Sequence, residues 1–220
     1  MSNHEALIDA IKNRDAATVG SLLDEDRSLL GASSGNVSAI LLAVYYGRPD
    51  IAQLFVDRGA ELTFAEAVAL GDTKRVHALL AGQPALLHEF TPDGFSVAGL
   101  AIFFRHPELA RELIERGADI HAAARNAQQV APVHAAASVR DAASMRLLLE
   151  RGADPNARQH LGYAPLHATA ANGDRAMTEL LLAHGADPFA KTDDGRTPAD
   201  MAAEGGHGEL AEWLRQRPTP

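Results

Sequence analysis

Residues 164–187, APLHATAANGDRAMTELLLAHGAD, decide the fold, because the chain writes nearly the same string more than once. At 131–154 it recurs as APVHAAASVRDAASMRLLLERGAD, and its opening returns at 197–207 as TPADMAAEGGH. Pro132, Pro165 and Pro198 are therefore spaced by 33 residues twice over, as are Gly152 and Gly185. A period of this length marks a stacked array of units, each too small to bury its own apolar face. Within one unit, Pro165 suits a helix's first turn, where its missing N–H is not needed. Gly173 can take the left-handed conformation that ends this helix. A second helix follows in DRAMTELLLAHG, with Met177, Leu180, Leu181 and Leu182 apolar and Gly185 as its stop. The segment GADPFAKTDDG supplies a connecting hairpin loop.

Working outward finds further copies. ELIERGADIHAA places Gly117 35 residues before Gly152, which implies a two-residue insertion around RNAQQ. Residues 96–120, 64–87, 38–62 and 6–30 supply four more units, for seven in all. The third lacks both the opening motif and the hairpin, since GAEL runs almost directly into TFAEAV. Pro49 to Pro107 and Gly59 to Gly117 are both 58 residues, so the N-terminal half reads as a two-unit block copied once. Polar residues in the first and last units suit terminal caps.

These residues and this period resemble the ankyrin repeat, with its Thr-Pro-Leu-His opening and Gly-Ala-Asp close. The resemblance implies an all-α ankyrin-repeat solenoid of about seven helix-pair units with a shortened third unit. One domain over 1–217 is expected, with 218–220 as a disordered tail. The resemblance also implies that the exposed ends of the first helices, together with the hairpin tips, line a concave surface that contacts partners.

Bulk composition narrows the function. An apolar fraction of 46% and a charged fraction of 22% are those of an ordinary folded protein. A net charge of −9 and the lack of a basic stripe argue against nucleic acid. The longest apolar run, VAGLAIFF, is too short to span a bilayer, and no secretory n-region opens the chain. A cytoplasmic protein with no membrane partner is expected. Zero cysteines exclude disulfides and thiolate metal sites.

Ten histidines invite a catalytic or metal reading. No two lie four apart around a glutamate on one helix, so the zincin pattern is absent. His134 and His167 occupy the motif position whose imidazole is structural in ankyrin repeats. Ala131 and Ala164 stand where the motif has threonine, so some local bonding must be rearranged. Asp193 and Asp194, adjacent before a glycine, read as turn formers rather than an acid–base pair. Neither a nucleophile elbow nor a phosphate-binding loop occurs. The expectation is no enzyme, no cofactor and no metal.

The recognition positions are where the chain spends its few aromatic residues. The pairs just before each first-helix stop include Tyr45–Tyr46, Phe103–Phe104, Ser138–Val139 and Ala171–Asn172. Hairpin positions add Phe95, Leu161 and Tyr163. Six of the chain's seven Phe, three Tyr and single Trp thus fall on recognition positions. At the stop itself Arg14, Arg105 and Arg140 replace glycine; with positive φ each costs roughly 1 kcal/mol. The expected partner-binding set is Tyr45, Tyr46, Phe95, Phe103, Phe104, Val139, Leu161, Tyr163 and Asn172. In each aromatic pair the second ring, Tyr46 or Phe104, is expected to be the more available. The expected function is non-catalytic binding of another protein by a monomer. The alternatives are a small-molecule or peptide-modifying cleft beside the third unit, using His88, Glu89, Asp93 and His106, or a homodimer through the same patch.

Overall fold

A computed structural model describes residues 2–217, and the expected tail at 218–220 lies outside the described residues. Seven helix pairs follow one another: α1 (Asn3–Lys12) and α2 (Ala16–Glu25), α3 (Ala39–Tyr45) and α4 (Pro49–Asp57), α5 (Phe64–Leu70) and α6 (Thr73–Gly82), α7 (Val97–Phe103) and α8 (Pro107–Glu115), α9 (Pro132–Val139) and α10 (Ala142–Glu150), α11 (Pro165–Ala171) and α12 (Arg175–Ala183), α13 (Pro198–Glu204) and α14 (Gly208–Arg215). Among the described residues the strands amount to one pair of two residues each, β1 (Ser33–Ser34) and β2 (Val37–Ser38), with Ser33 opposite Ser38. The architecture is all-α, and the third pair follows the second without a hairpin, as the sequence implies. The packing gathers into two compact units, one ending at Leu86 and the other beginning at Leu87.

The first helix of each pair is the inner helix; α1 begins at the exposed end and the others begin at least partly inside the stack, and the leading N–H groups of all of them need partners. Three solutions appear. Ser2, Thr63 and Thr197 each accept from the N–H three residues on, while Glu5, Glu66 and Asp200 reach back to the cap's own N–H, making capping boxes. Ser38 and Ser96 cap with the hydroxyl alone. Ala131 and Ala164 have no hydroxyl, and there His134 and His167 take over. Nδ1 of each accepts from the cap N–H, at 3.1 and 3.0 Å. This is how the bonding is rearranged where threonine is missing.

Glu66 shows how the third pair manages without the motif. Its side chain is buried, yet it accepts from Thr63 N at 2.7 Å, from Thr63 Oγ1 at 2.8 Å and from Ser38 Oγ at 2.5 Å. The last bond ties the caps of α3 and α5 together where a hairpin would otherwise lie. Thr63-x-x-Glu66 is a capping-box pattern, so the signal was present in the sequence.

Small residues let the inner helices approach. Ala135, Ala136 and Ala137 of α9 are buried between α7 and α11, and α11 packs in turn on α13. The outer helices contribute the long aliphatic side chains; Leu148 and Leu181 are fully buried. At the C-terminal end Leu210, Ala211 and Leu214 close the core against Ala170, Ala199 and Ala202. Trp213, partly buried there, is clasped between two guanidinium groups, Arg175 at 3.5 Å and Arg217 at 3.6 Å from the ring centre.

In the second unit the hairpin tips are joined by backbone hydrogen bonds. Arg125 N donates to Gly94 O at 2.7 Å, His160 N to Gln128 O at 2.9 Å, and Asp193 N to Leu161 O at 2.9 Å. The approach at Gly94 leaves no room for a side chain: with φ +94°, a Cβ would lie 2.9 Å from the Arg125 carbonyl carbon. The insertion around RNAQQ is absorbed in the Arg125–Gln129 tip without breaking this series.

Replacing Glu66 by Ala leaves the Ser38 hydroxyl and the Thr63 N–H without their acceptor. The expected loss is about 1–3 kcal/mol in chemical denaturation, with a smaller loss for Glu66→Gln, which keeps one acceptor oxygen.

Candidate functional site

All three arginines at inner-helix stops adopt the left-handed conformation, with φ of 60° at Arg14, 62° at Arg105 and 59° at Arg140. They do the work of Gly47, Gly71, Gly173 and Gly206, which have positive φ at the same position. The reversal sends the chain into the outer helix and leaves the end of the inner helix facing outward.

At that end the two residues of each pair have different surroundings. Phe103, the last residue of α7, is 51% exposed, whereas Phe104, its C-cap, is half-buried. Their rings meet edge to face at 5.3 Å. This corrects the expectation for the phenylalanine pair: the first ring is the available one, and the second turns back toward the stack. Val139, at the equivalent of Phe104, is buried outright at 7% exposure and drops out of the surface, while Ser138 before it is exposed. The physical reason is the turn of about 100° per residue. In these two units it carries the residue beside the stop, Phe104 or Val139, onto the packed side. In the first unit Tyr45 and Tyr46 are both half-buried.

The hairpin residues divide similarly. Leu161 is 54% exposed and, unusually, holds φ +59° beside Gly162 at +73°. Phe95 and Tyr163 are half-buried. Phe95 N donates to Thr91 Oγ1 at 2.8 Å, closing its tip. Tyr163 lies edge to face with the His167 ring at 5.8 Å, and its hydroxyl accepts from Arg196. Asn172 is also engaged: its carbonyl accepts from Arg140 Nη2 at 2.8 Å, and its Nδ2 donates to Ala137 O at 3.4 Å. These bonds join the ends of α9 and α11. Nothing in the residue pattern announces that use, because Asn and Arg at surface positions are compatible with many partners.

The other candidates resolve into structure. Asp193 pairs with Arg158 at 2.9 Å; Asp194 accepts from Thr192 Oγ1 at 2.5 Å and lies 2.8 Å from the Arg196 guanidinium. The Thr192 hydroxyl first, and Arg196 second, hold the Asp194 carboxyl below its ordinary pKa. His134 and His167 are buried, and their Nε2 atoms bond to Ala157 O at 2.9 Å and Ala190 O at 3.0 Å. Because Nδ1 accepts, Nε2 carries the proton and donates, which makes each ring a neutral strut between a helix start and the next connection. Burial pushes both imidazoles below their ordinary pKa. A hollow of about 380 Å³ in the second unit is lined by His88, Glu89, Phe90, Asp119 and Arg125 among others, with Arg125 stacked 3.7 Å over Phe90. Asp93 and His106 do not line it, so the four polar residues of the cleft alternative are not brought together there. Among the described residues no group of three or more His, Asp or Glu is placed to hold a metal ion, and no helix is long and apolar enough to cross a membrane.

Repeating helix pairs, imidazole struts and left-handed stops define the class. The family model described as Ankyrin repeats (3 copies) matches residues 64–159 and 133–219, and the chain belongs to that family. Ankyrin repeats are generally protein–protein interaction modules. Among characterised proteins, Protein PhlB of Serratia liquefaciens is 34% identical over 102 residues, covering 46% of this chain and 43% of that protein. The match thus spans less than half the length of that relative.

The two struts set a pH dependence. With folded pKa values below the ordinary value of about 6.5, the unfolded chain takes up protons that the native rings do not. Stability is therefore fully present above about pH 6.5 and falls as the pH drops through the folded values, by up to about 1.4 kcal/mol per pH unit for each ring. Urea midpoints at pH 7.5 and 5.5, about one unit to either side of the ordinary value, check the sign; the midpoint at the lower pH should be smaller.

Proposed function

We propose that this chain is a non-catalytic module that captures a partner protein through the inner-helix ends and hairpin tips. The observation that carries this reading is where apolar exposure falls. Among the described residues the large hydrophobic side chains left exposed are Phe103 and Leu161, and both occupy recognition positions. Each stands on a rigid support: Phe103 at a helix end packed edge to face on Phe104, Leu161 in a tip bonded to its neighbour through Asp193 N. Little conformational freedom is left to lose when a partner covers them. Covering such a side chain is worth about 1.5–3 kcal/mol.

Leu161 adds a second argument. A leucine held at positive φ costs about 1–2 kcal/mol in backbone strain, and an exposed leucine returns nothing to the core. Asparagine or glycine would serve the turn better, so the residue makes sense as a contact. Tyr45, Tyr46, Phe95, Phe104, Tyr163 and Asn172 are proposed as flanking positions that shape the surface, and Val139 is excluded by its burial.

The test is a Phe103→Ala, Leu161→Asn double variant. Its melting temperature should stay within about 4 °C of the wild type, the shift expected for at most 1–2 kcal/mol in a chain of this size. In affinity capture followed by mass spectrometry, a protein retained by the wild type should be missing from the variant. A large loss of stability, or an unchanged set of captured proteins, would overturn the reading. Light scattering over a dilution series reads out self-association through the same side chains.

A further inference from the structure

We infer that the segment covering Phe103 is acidic: a stretch of polypeptide that sets an apolar side chain on the phenyl ring and carboxylates on the arginines beside it. The inference rests on the docking reading above and names the partner's chemistry. Four inner-helix stops with positive φ are glycine and three are arginine, although arginine is the more costly residue there. In the second unit the two arginines fall at equivalent positions of neighbouring inner helices, Arg105 after α7 and Arg140 after α9, and those helices pack on each other. The axes of packed helices lie about 8–10 Å apart, so the two stops stand at the same end of adjoining helices, within reach of a single bound segment.

The two cations are differently held. Arg140 reaches the α11 end, bonding Asn172 O at 2.8 Å with Asp174 at 3.7 Å, and its side chain remains 55% exposed. Arg105 is exposed two residues after Phe103 and, among the described residues, its side chain enters no hydrogen bond or ion pair. Arg105 thus carries backbone strain and an uncompensated charge, and does no internal work that glycine would not do more cheaply. Strain retained without a packing return marks a functional position. A guanidinium recognises carboxylates through paired N–H donors, which gives both orientation and preference for acid over base. The chain as a whole carries −9, so an acidic partner would be held off elsewhere and admitted at this local pair.

The experiment uses the full chain and an array of synthetic peptides in four equally represented classes: acidic with apolar residues, acidic without, apolar without charge, and basic with apolar residues. Binding should concentrate in the first class. It should fall by at least about tenfold for Phe103→Ala and for Arg105→Gly. Arg105→Gly should melt no lower than the wild type, because glycine relieves the strained turn; loss of binding together with retained stability is a pattern that a structural arginine would not produce. Arg105→Glu should shift preference toward the basic class. Binding that depends on Phe103 but favours basic or uncharged peptides overturns this inference and leaves the docking reading in place. Binding to no class, binding indifferent to Phe103→Ala, or a dimer of this chain that Phe103→Ala dissolves overturns both.

Discussion

The beginning of every inner helix is the constraint on which the rest depends. A helix start leaves N–H groups unpaired, and from α3 onward those groups lie at least partly inside the stack, where water serves them poorly. The chain meets the requirement with hydroxyl and carboxylate, hydroxyl alone, or alanine and imidazole. The histidine solution has a consequence the others lack. A histidine accepting at Nδ1 has a second nitrogen to spend, and it spends it on the connection leading to the next unit, as His134 does on Ala157 O. Capping and unit-to-unit attachment are then one device. In the third pair Glu66 achieves both with its two oxygens, directed at Thr63 and Ser38.

The far end of the same helices governs function. Left-handed stops turn the chain, and at the ends of α7 and α9 the residue next to the stop faces the stack while the one before it faces outward. Phe103 and Phe104 divide in this way, and Val139 follows Phe104. One ring is given to packing and its neighbour to the surface, and the edge-to-face contact between them makes the exposed ring stiff.

Much of this was legible in the sequence because the period is written in residues with strong local meaning. Proline in the first turn, glycine or its arginine substitutes at the stop, and leucines on the outer helix together yield the seven pairs. Alignment alone places Arg14, Arg105 and Arg140 at the stop, where the structure finds each at positive φ. What was not legible depended on rotation and on side-chain reach. Adjacent aromatics such as Phe103 and Phe104 carry no mark in the sequence of which one faces inward. Val139 looked like a recognition residue because alignment specifies a position, not the depth of the neighbouring unit at that position. The Arg140–Asn172 bond, 32 residues apart in sequence, joins side chain to backbone and leaves no pattern in either segment. Glu66 is the opposite case: Thr63-x-x-Glu66 is a capping box readable in the sequence, standing where the familiar opening motif is missing.

The clasp around Trp213 has a practical side. It is the only tryptophan in the chain, and it sits on the final outer helix between Arg175 and Arg217. Its emission therefore reports the environment of the last two helix pairs and is silent about α1 to α6. In a protein whose packing gathers into two units, a fluorescence trace would follow the fraying of one terminus. Circular dichroism would follow helices everywhere, and any divergence between the two signals would measure how far the array melts piecemeal.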